Sequence, residues 1–284
     1  MQKACHGTPC IKIDKDHYCD TRTGEYFEYK HIENRSQSLQ SIRHTLSMIR
    51  ALINTNCVVP ENIRWVTLTY KENMTDTKRL MKDYEHFWKR FLRWCAKQGY
   101  DKPEYITVQE PQGRGAWHIH AFFIWQSKAP FIPNNEVLEK LWGQGFTKCK
   151  AVSDCDNIGA YFSAYLADMP VEDVEQLPAQ EKEMCLSGSF KVEQKKFVAD
   201  DGKEKDKRFI KGGRLYLYPA GMNIVRRTKG IKDPIVETMP LFEAQKKVPA
   251  GTETFSRAYA ILADNGTCVN VIRKSYYNSN RSKK

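Results

Sequence analysis

The stretch PEYITVQEPQGRGAWHIHAFFIW, centred on residues 104–124, constrains this chain more than any other. Two apolar, β-prone runs flank Pro111-Gln112-Gly113-Arg114-Gly115, a string of turn formers, and together they read as a β-hairpin with a longer loop. In the second strand His118 and His120 are two residues apart, so both imidazoles project from one face of a sheet while Ile119 projects from the other. Glu110 ends the first strand, and hairpin pairing brings it opposite His118. Two neutral imidazoles and a carboxylate can then converge on one divalent cation with coordination positions left open. The plainer explanation is a pair of half-buried core histidines. Phe122, Phe123, Ile124 and Trp125 make the strand a buried one, and two imidazoles in such a strand are costly without partners, which favours the metal site.

The rest of the composition narrows the class. With 284 residues the chain can bury a sizeable core, and its 41% apolar and 28% charged residues are ordinary for a globular protein. A net charge of +11 favours an acidic partner, nucleic acid or an anionic surface, although solubility alone would also account for it. No run of 18 apolar residues occurs, so no membrane-spanning helix is expected. The start, MQKACHGTPC, has no apolar signal core, and a cytoplasmic location is expected. The nine scattered cysteines read as reduced thiols. Cys5, Cys10, His17 and Cys19 cluster loosely, at spacings that match no zinc module.

In chain order, residues 1–34 are polar and aromatic, with Thr23-Gly24 as a turn between short strands. Leu39, Ile42, Leu46, Ile49 and Ile53 then recur at helical spacing, with Ser36 or Ser38 as a cap. Residues 63–70 read as a strand, and 76–98 as a helix with Leu80, Tyr84, Phe87, Phe91 and Trp94 on one side, stopped by Gly99. After the hairpin come a short helix at 134–142, a short strand in GQGFTKCKAV, and a helix at 154–169 ended before Pro170. Charge then changes sign: residues 168–183 carry six acids and one lysine, and residues 203–229 carry nine lysines or arginines and two acids. VADDGKEKDKR reads as an exposed, mobile loop or hairpin tip. KGGRLYLYPAGMNIVRR holds two strand-like pieces, and AYAILADNGTCVNVIRKSYY a second hairpin turning at Asp264-Asn265-Gly266.

Tyr161 and Tyr165 lie four apart, which puts their rings on one helix face about 5–6 Å apart at Cβ. Spacing alone favours two core aromatics. Beside a three-ligand metal site in a basic chain, a second role opens: a phenolate can attack a phosphodiester and hold the cut end. A divalent cation, Mg2+ or Mn2+, would polarise the scissile phosphate.

IRWVTLTY, VQEPQGRGAWHIHAFFIW and NIGAYFSAYLAD, in that order, resemble the three motifs of rolling-circle replication initiators of the HUH endonuclease superfamily, of the kind found in Gram-positive plasmids, integrative elements and small phages. His118-Ile119-His120 matches the histidine–hydrophobic–histidine signature, and Tyr161 and Tyr165 match the tyrosine motif. The resemblance implies an α+β fold, a central antiparallel sheet flanked by helices with a ferredoxin- or RRM-like core. It implies Glu110, His118 and His120 as metal ligands and the tyrosines as catalytic residues. The implied reaction is a single-stranded nick at an origin, leaving a 5′-phosphotyrosine and a 3′-hydroxyl primer. It suggests an N-terminal extension at 1–34, the nuclease core at 35–170, a charged insertion at 171–210, C-terminal strands packed on the core at 211–277 and a basic tail at 278–284. Many relatives carry a lysine in the tyrosine motif. Here Ala164 and Asp168 stand at the matching positions, so that role is absent or comes from elsewhere, such as the basic segment 203–229.

Such a protein would thread an unpaired strand, or the hairpin of an origin, over the metal, with basic side chains on its phosphates and aromatic ones against its bases. Candidates for the phosphates are Arg64, Lys71, Arg114, Lys148, Lys150, Lys211, Arg214, Arg226, Arg227 and Lys229. No GxxxxGK[ST] loop occurs, so no nucleotide is expected, and unwinding and synthesis would fall to a host helicase and DNA polymerase. Two alternatives stay open. A mobilisation relaxase or transposase of the same superfamily is one, although relaxases tend to use a third histidine where Glu110 stands here. A basic nucleic-acid-binding protein without activity is the other.

Overall fold

The computed structural model of the chain describes residues 9–29, 31–37, 39–152, 158–159, 162, 166–186, 192–198, 204–248, 252–263 and 265–278. Three short strands, β1 (Cys10–Lys12), β2 (His17–Asp20) and β3 (Tyr26–Glu28), form a small antiparallel sheet turning at the expected Thr23-Gly24. A 3-10 turn at Arg35–Gln37 precedes α1 (Leu39–Asn56). Ser36 belongs to that turn, and its hydroxyl donates to Asn34 Oδ1 (2.6 Å) rather than capping the helix; Ser38 lies outside the described residues. The apolar stripe of α1 buries Ile42, Ile49 and Ile53.

The central sheet is built from β4 (Ile63–Thr69), β5 (Glu104–Pro111), β6 (Trp117–Ile124), β7 (Thr147–Ala151) and β11 (Val225–Arg227), in the antiparallel order β11-β5-β6-β4-β7. This is the expected α+β architecture, with a five-stranded antiparallel sheet and helices packed about it. Between β4 and β5 runs α2 (Thr77–Lys97), whose N-terminus is capped by Asp76 accepting from the backbone N–H groups of Lys78 and Arg79. Its stripe of Leu80, Tyr84, Phe87, Phe91 and Cys95 is buried, and Phe91 and Trp88 stack against Phe123 of β6 at ring-centroid separations of 4.8 and 5.2 Å. Alternation along β6 therefore gives Phe123, Ala121 and Ile119 to the α2 side and leaves Phe122, His120 and His118 on the opposite face. A π-turn (Asn134–Leu138) continues into α3 (Glu139–Trp142), which buries Trp142 and anchors its indole N–H on the Thr69 carbonyl (2.6 Å).

Beyond β7 the expected helix at 154–169 is described at Ile158, Gly159 and Phe162. It stops earlier than expected: Leu166 and Ala167 form a turn, and β8 (Met169–Pro170) pairs with β10 (Glu204–Ile210). Ala167 has a φ of 62°, a left-handed conformation that turns the chain abruptly. In residues 171–210 lie α4 (Val171–Glu175), α5 (Ala179–Leu186) and β9 (Val192–Val198), the last forming a hairpin with β10. The strands thus extend into the stretch expected as a loop, because seven consecutive residues on each side find ladder partners; the tip at 199–203 lies outside the described residues. Met169, Val174, Cys185, Ile210 and Tyr216 close a second, smaller apolar cluster here.

The first strand-like piece of KGGRLYLYPAGMNIVRR is instead a 3-10 turn, Leu215–Leu217, and only the second is a strand, β11. Its N–H groups bond backwards, Leu215 to the Gly212 carbonyl and Leu217 to that of Arg214, so no ladder forms. The turn drives Leu215 into the main core and Tyr216 into the smaller cluster. After α6 (Leu241–Lys247) comes the expected second hairpin, β12 (Thr252–Leu262) with β13 (Cys268–Asn278), none of whose described residues enters either apolar cluster. Among the described residues, no helix is long and apolar enough to cross a membrane.

Candidate metal centre

The register of the β5–β6 hairpin places Glu110 directly opposite His118, and Val108 opposite His120. On the other side of β6, His120 faces Thr67 and His118 faces Thr69 of β4. Directly paired residues in an antiparallel ladder share a face, so Glu110, His118, His120 and Thr67 lie on the surface away from α2. Glu110 Oε2 is 3.1 Å from His118 Nε2 and 3.1 Å from His120 Nε2. The three donor atoms all fall within 4.8 Å of one another, and this is the only such cluster among the described residues. Cys10, His17 and Cys19 form none, and Cys5 lies outside the described residues.

The site is dry and electrostatically biased. Glu110 is 6% and His118 8% exposed. Burial alone would raise the Glu110 carboxyl, but the Arg214 guanidinium and the hydrogen bonds from His118 and His120 outweigh it and hold it well below the usual carboxylate range. Burial also holds the His118 imidazole below its ordinary value, against the pull of Glu110 and with the repulsion of His120. An ionised carboxylate beside an imidazole that resists protonation is the state in which both bind a cation. His120 Nδ1 lies 3.2 Å from Thr67 Oγ1, a partner that leaves Nε2 free to ligate. His118 Nδ1 is buried without a partner among the described residues. This donor set fits a divalent cation of the Mg2+, Mn2+ or Zn2+ kind, with two nitrogens and one oxygen on one side and open positions on the other.

The segment after β7 covers this face. Phe162 sits edge-on to Trp65, His120 and Phe122 at centroid distances of 5.6, 5.4 and 5.5 Å. Ile158, Phe162 and Leu166, spaced by four, are all buried. Gly159 lets the segment approach α1: its N–H donates to Asn54 Oδ1 (2.9 Å), and a Cβ there would lie 2.5 Å from the Arg50 carbonyl oxygen. Tyr161, Ala164 and Tyr165 lie outside the described residues. Of the tyrosines near the metal face, Tyr218 donates to the Gln109 carbonyl (3.1 Å), and burial pushes its phenol far above the ordinary value, so it is no nucleophile.

The basic candidates divide into groups. Lys211 and Arg214 reach the centre itself. Lys211 Nζ is 3.1 Å from Asp168 Oδ2, and Arg214 Nη2 is 2.6 Å from Glu110 Oε1. Lys148 and Lys150 are exposed on β7, opposite Thr67 and Trp65, and so line the same face as the imidazoles. Arg227, opposite Ile106 on β11, shares that face and pairs with Asp233 (2.6 Å). Arg226 projects from the other face, and Arg64 also lies there, donating to the carbonyls of Ile63, Ala129 and Pro130. Lys71, Arg114 and Lys229 are exposed in turns, Arg114 with its Nε on Gln112 Oε1 (3.1 Å). Thr67 and the Ala167 N–H, 3.4 Å from Glu110 Oε1, are parts of the centre that residue patterns alone do not mark. Alternation in WVTLTY could suggest Thr67 only once the register of β4 on β6 is known.

No curated protein and no solved structure matches the chain. Residues 63–170, which run from β4 to β8 and contain Glu110, His118 and His120, match a family model of replication-associated proteins, the family of ORF2 and the phage gene 2 protein.

Proposed function

We propose that the protein initiates rolling-circle replication by nicking single-stranded or hairpin origin DNA with a tyrosine nucleophile. The observation that carries this is the convergence of Glu110 Oε2 with the Nε2 atoms of His118 and His120, roofed by Phe162, the chain neighbour of Tyr161. The family matched by residues 63–170 supports the replication role. A divalent ion held by these three side chains, Mg2+ or Mn2+, supplies Lewis-acid polarisation of the scissile phosphate and offsets charge in its transition state. The phenol oxygen of Tyr161 or Tyr165 attacks phosphorus as its proton passes to solvent or a nearby base. A P–O bond to tyrosine forms, the bond to the 3′ oxygen breaks, and that oxygen leaves with the electron pair and takes up a proton. The products are a 5′-phosphotyrosine and a 3′-hydroxyl that primes synthesis by a host polymerase behind a host helicase. With two tyrosines, one cleaves and the other rejoins.

Lys148, Lys150 and Arg227 share the metal face and are the better placed to track the strand's phosphates, with Lys71, Arg114 and Lys229 at its margins. Lys211, drawn from the basic segment to Asp168, takes the place of the lysine that the tyrosine motif lacks. Incubation of the protein with Mn2+ and an end-labelled single-stranded origin oligonucleotide tests the proposal. A denaturation-resistant adduct is expected, absent from the Tyr161→Phe/Tyr165→Phe double variant. An undiminished adduct in that variant would overturn the assignment of the nucleophile.

A further inference from the structure

The two oxygens of Glu110 have different partners. Oε2 faces the imidazoles at 3.1 Å, whereas Oε1 is held by Arg214 Nη2 at 2.6 Å and by the Ala167 N–H at 3.4 Å. The guanidinium is itself pinned, because Nη1 donates to the Pro111 carbonyl at 2.8 Å. The backbone around it is fastened too. Arg214 N–H donates to the Ala167 carbonyl (2.9 Å), and Gly212 N–H to Asp168 Oδ1 (3.0 Å). Gly213 passes so close to β8 that a Cβ there would lie 2.8 Å from the Met169 Cβ. Lys211–Arg214 is thus a clasp between the end of β5 and the turn that follows the Phe162 segment. A guanidinium fork reaches the carboxylate and the carbonyl together, which an ammonium cannot do.

We propose that Arg214 is a positioning residue that restricts Glu110 to one ligating oxygen and so makes the centre favour small divalent ions, Mg2+ and Mn2+, over Ca2+. The inference rests on the metal reading given above. Ca2+ accepts carboxylates through both oxygens and tolerates irregular shells, whereas Mg2+ requires near-octahedral geometry with short bonds. With Oε1 bound to Arg214, the two-oxygen mode that suits Ca2+ is closed. Loss of the guanidinium also removes a positive charge from beside the cation, and that change strengthens binding of every divalent ion alike. It cancels in the ratio of two affinities, so the ratio isolates the orienting role.

The experiment is calorimetric titration of the full chain with MnCl2 and with CaCl2, for wild type, Arg214→Gln and Arg214→Lys, with far-UV circular dichroism to establish folding. Wild type is expected to prefer Mn2+. That preference should fall by about tenfold or more in Arg214→Gln, on the scale of partners that orient metal ligands. It should fall in Arg214→Lys as well, although the charge is kept; that variant carries the test if Arg214→Gln does not fold. A Mn2+/Ca2+ ratio within twofold of wild type in a folded variant, or a wild type indifferent to the two ions, overturns the inference. If wild type binds Mn2+ and His118→Ala does not, the metal reading stands whatever Arg214 does. A folded wild type that binds neither ion sinks both.

Discussion

The chain contains two long antiparallel hairpins with opposite fates. β5–β6 and β12–β13 announce themselves alike, as alternating β-prone runs around a turn. β5–β6 gains a strand on each side and α2 across one face, and Ile119, Ala121, Phe122 and Phe123 are fully buried. β12–β13 stays two-stranded, with Val271 60% and Phe255 47% exposed. A carboxylate in the first strand of each meets an arginine. Glu110 meets Arg214 at 2.6 Å in a dry interior, and Glu253 meets Arg273 at 3.6 Å in solvent. Water screens the second pair; exclusion of water makes the first one decide the ionisation of its neighbours. Local strand formation is therefore cheap to encode, while chemically perturbed groups require burial supplied from elsewhere in the chain.

Three measurements press on that contrast. The largest effect is expected at the ligands: His118→Ala should lower metal-dependent nicking by more than about 100-fold, beyond the usual cost of losing a supporting partner, while Ser275→Ala on β13 leaves it unchanged. Retention of full metal-dependent cleavage by His118→Ala would remove β5–β6 from the chemistry. Next comes packing. Phe123→Ala should cost about 3–5 kcal/mol in urea denaturation, and Val271→Ala under about 0.5 kcal/mol. Similar losses at both positions would mean that β12–β13 is buried in solution against a partner.

The smallest effect is a pH dependence. His118 has a folded pKa below its ordinary value of 6.5, so between the two the unfolded chain takes up a proton that the folded chain refuses. Stability of the metal-free protein should then fall as pH drops from about 6.5, and the slope in that window should flatten in His118→Gln. Glu110, also depressed, acts lower: its contribution is complete above its ordinary value of 4.5 and is lost as pH falls through the folded value. Equal slopes for wild type and His118→Gln between about pH 5 and 7 would show that His118 is not held neutral by the fold.

Much of the centre could be read in advance because it depends on local periodicity. Two-residue alternation puts His118 and His120 on one face whatever sheet they join, and a hairpin closed by Gln112–Gly115 brings Glu110 across from them. The stripe of α2 and its Asp76 cap follow from the same short-range rules. Where periodicity is ambiguous the sequence misleads: Leu215–Leu217 has strand-like residues and becomes a 3-10 turn for want of a ladder partner.

What surrounds the three ligands was settled only by packing. Thr67 meets His120 because β4 docks on β6 in one register, and Arg214 meets Glu110 because a glycine-bearing turn a hundred residues later wedges against β8. Arg64 and Arg214 look alike as basic residues in a basic chain. One binds three carbonyls on the far face, and the other grips a metal ligand. Composition gives an arginine its charge, but its distance to a buried carboxylate is a property of the assembled sheet, and in a dry interior that distance determines what the charge does.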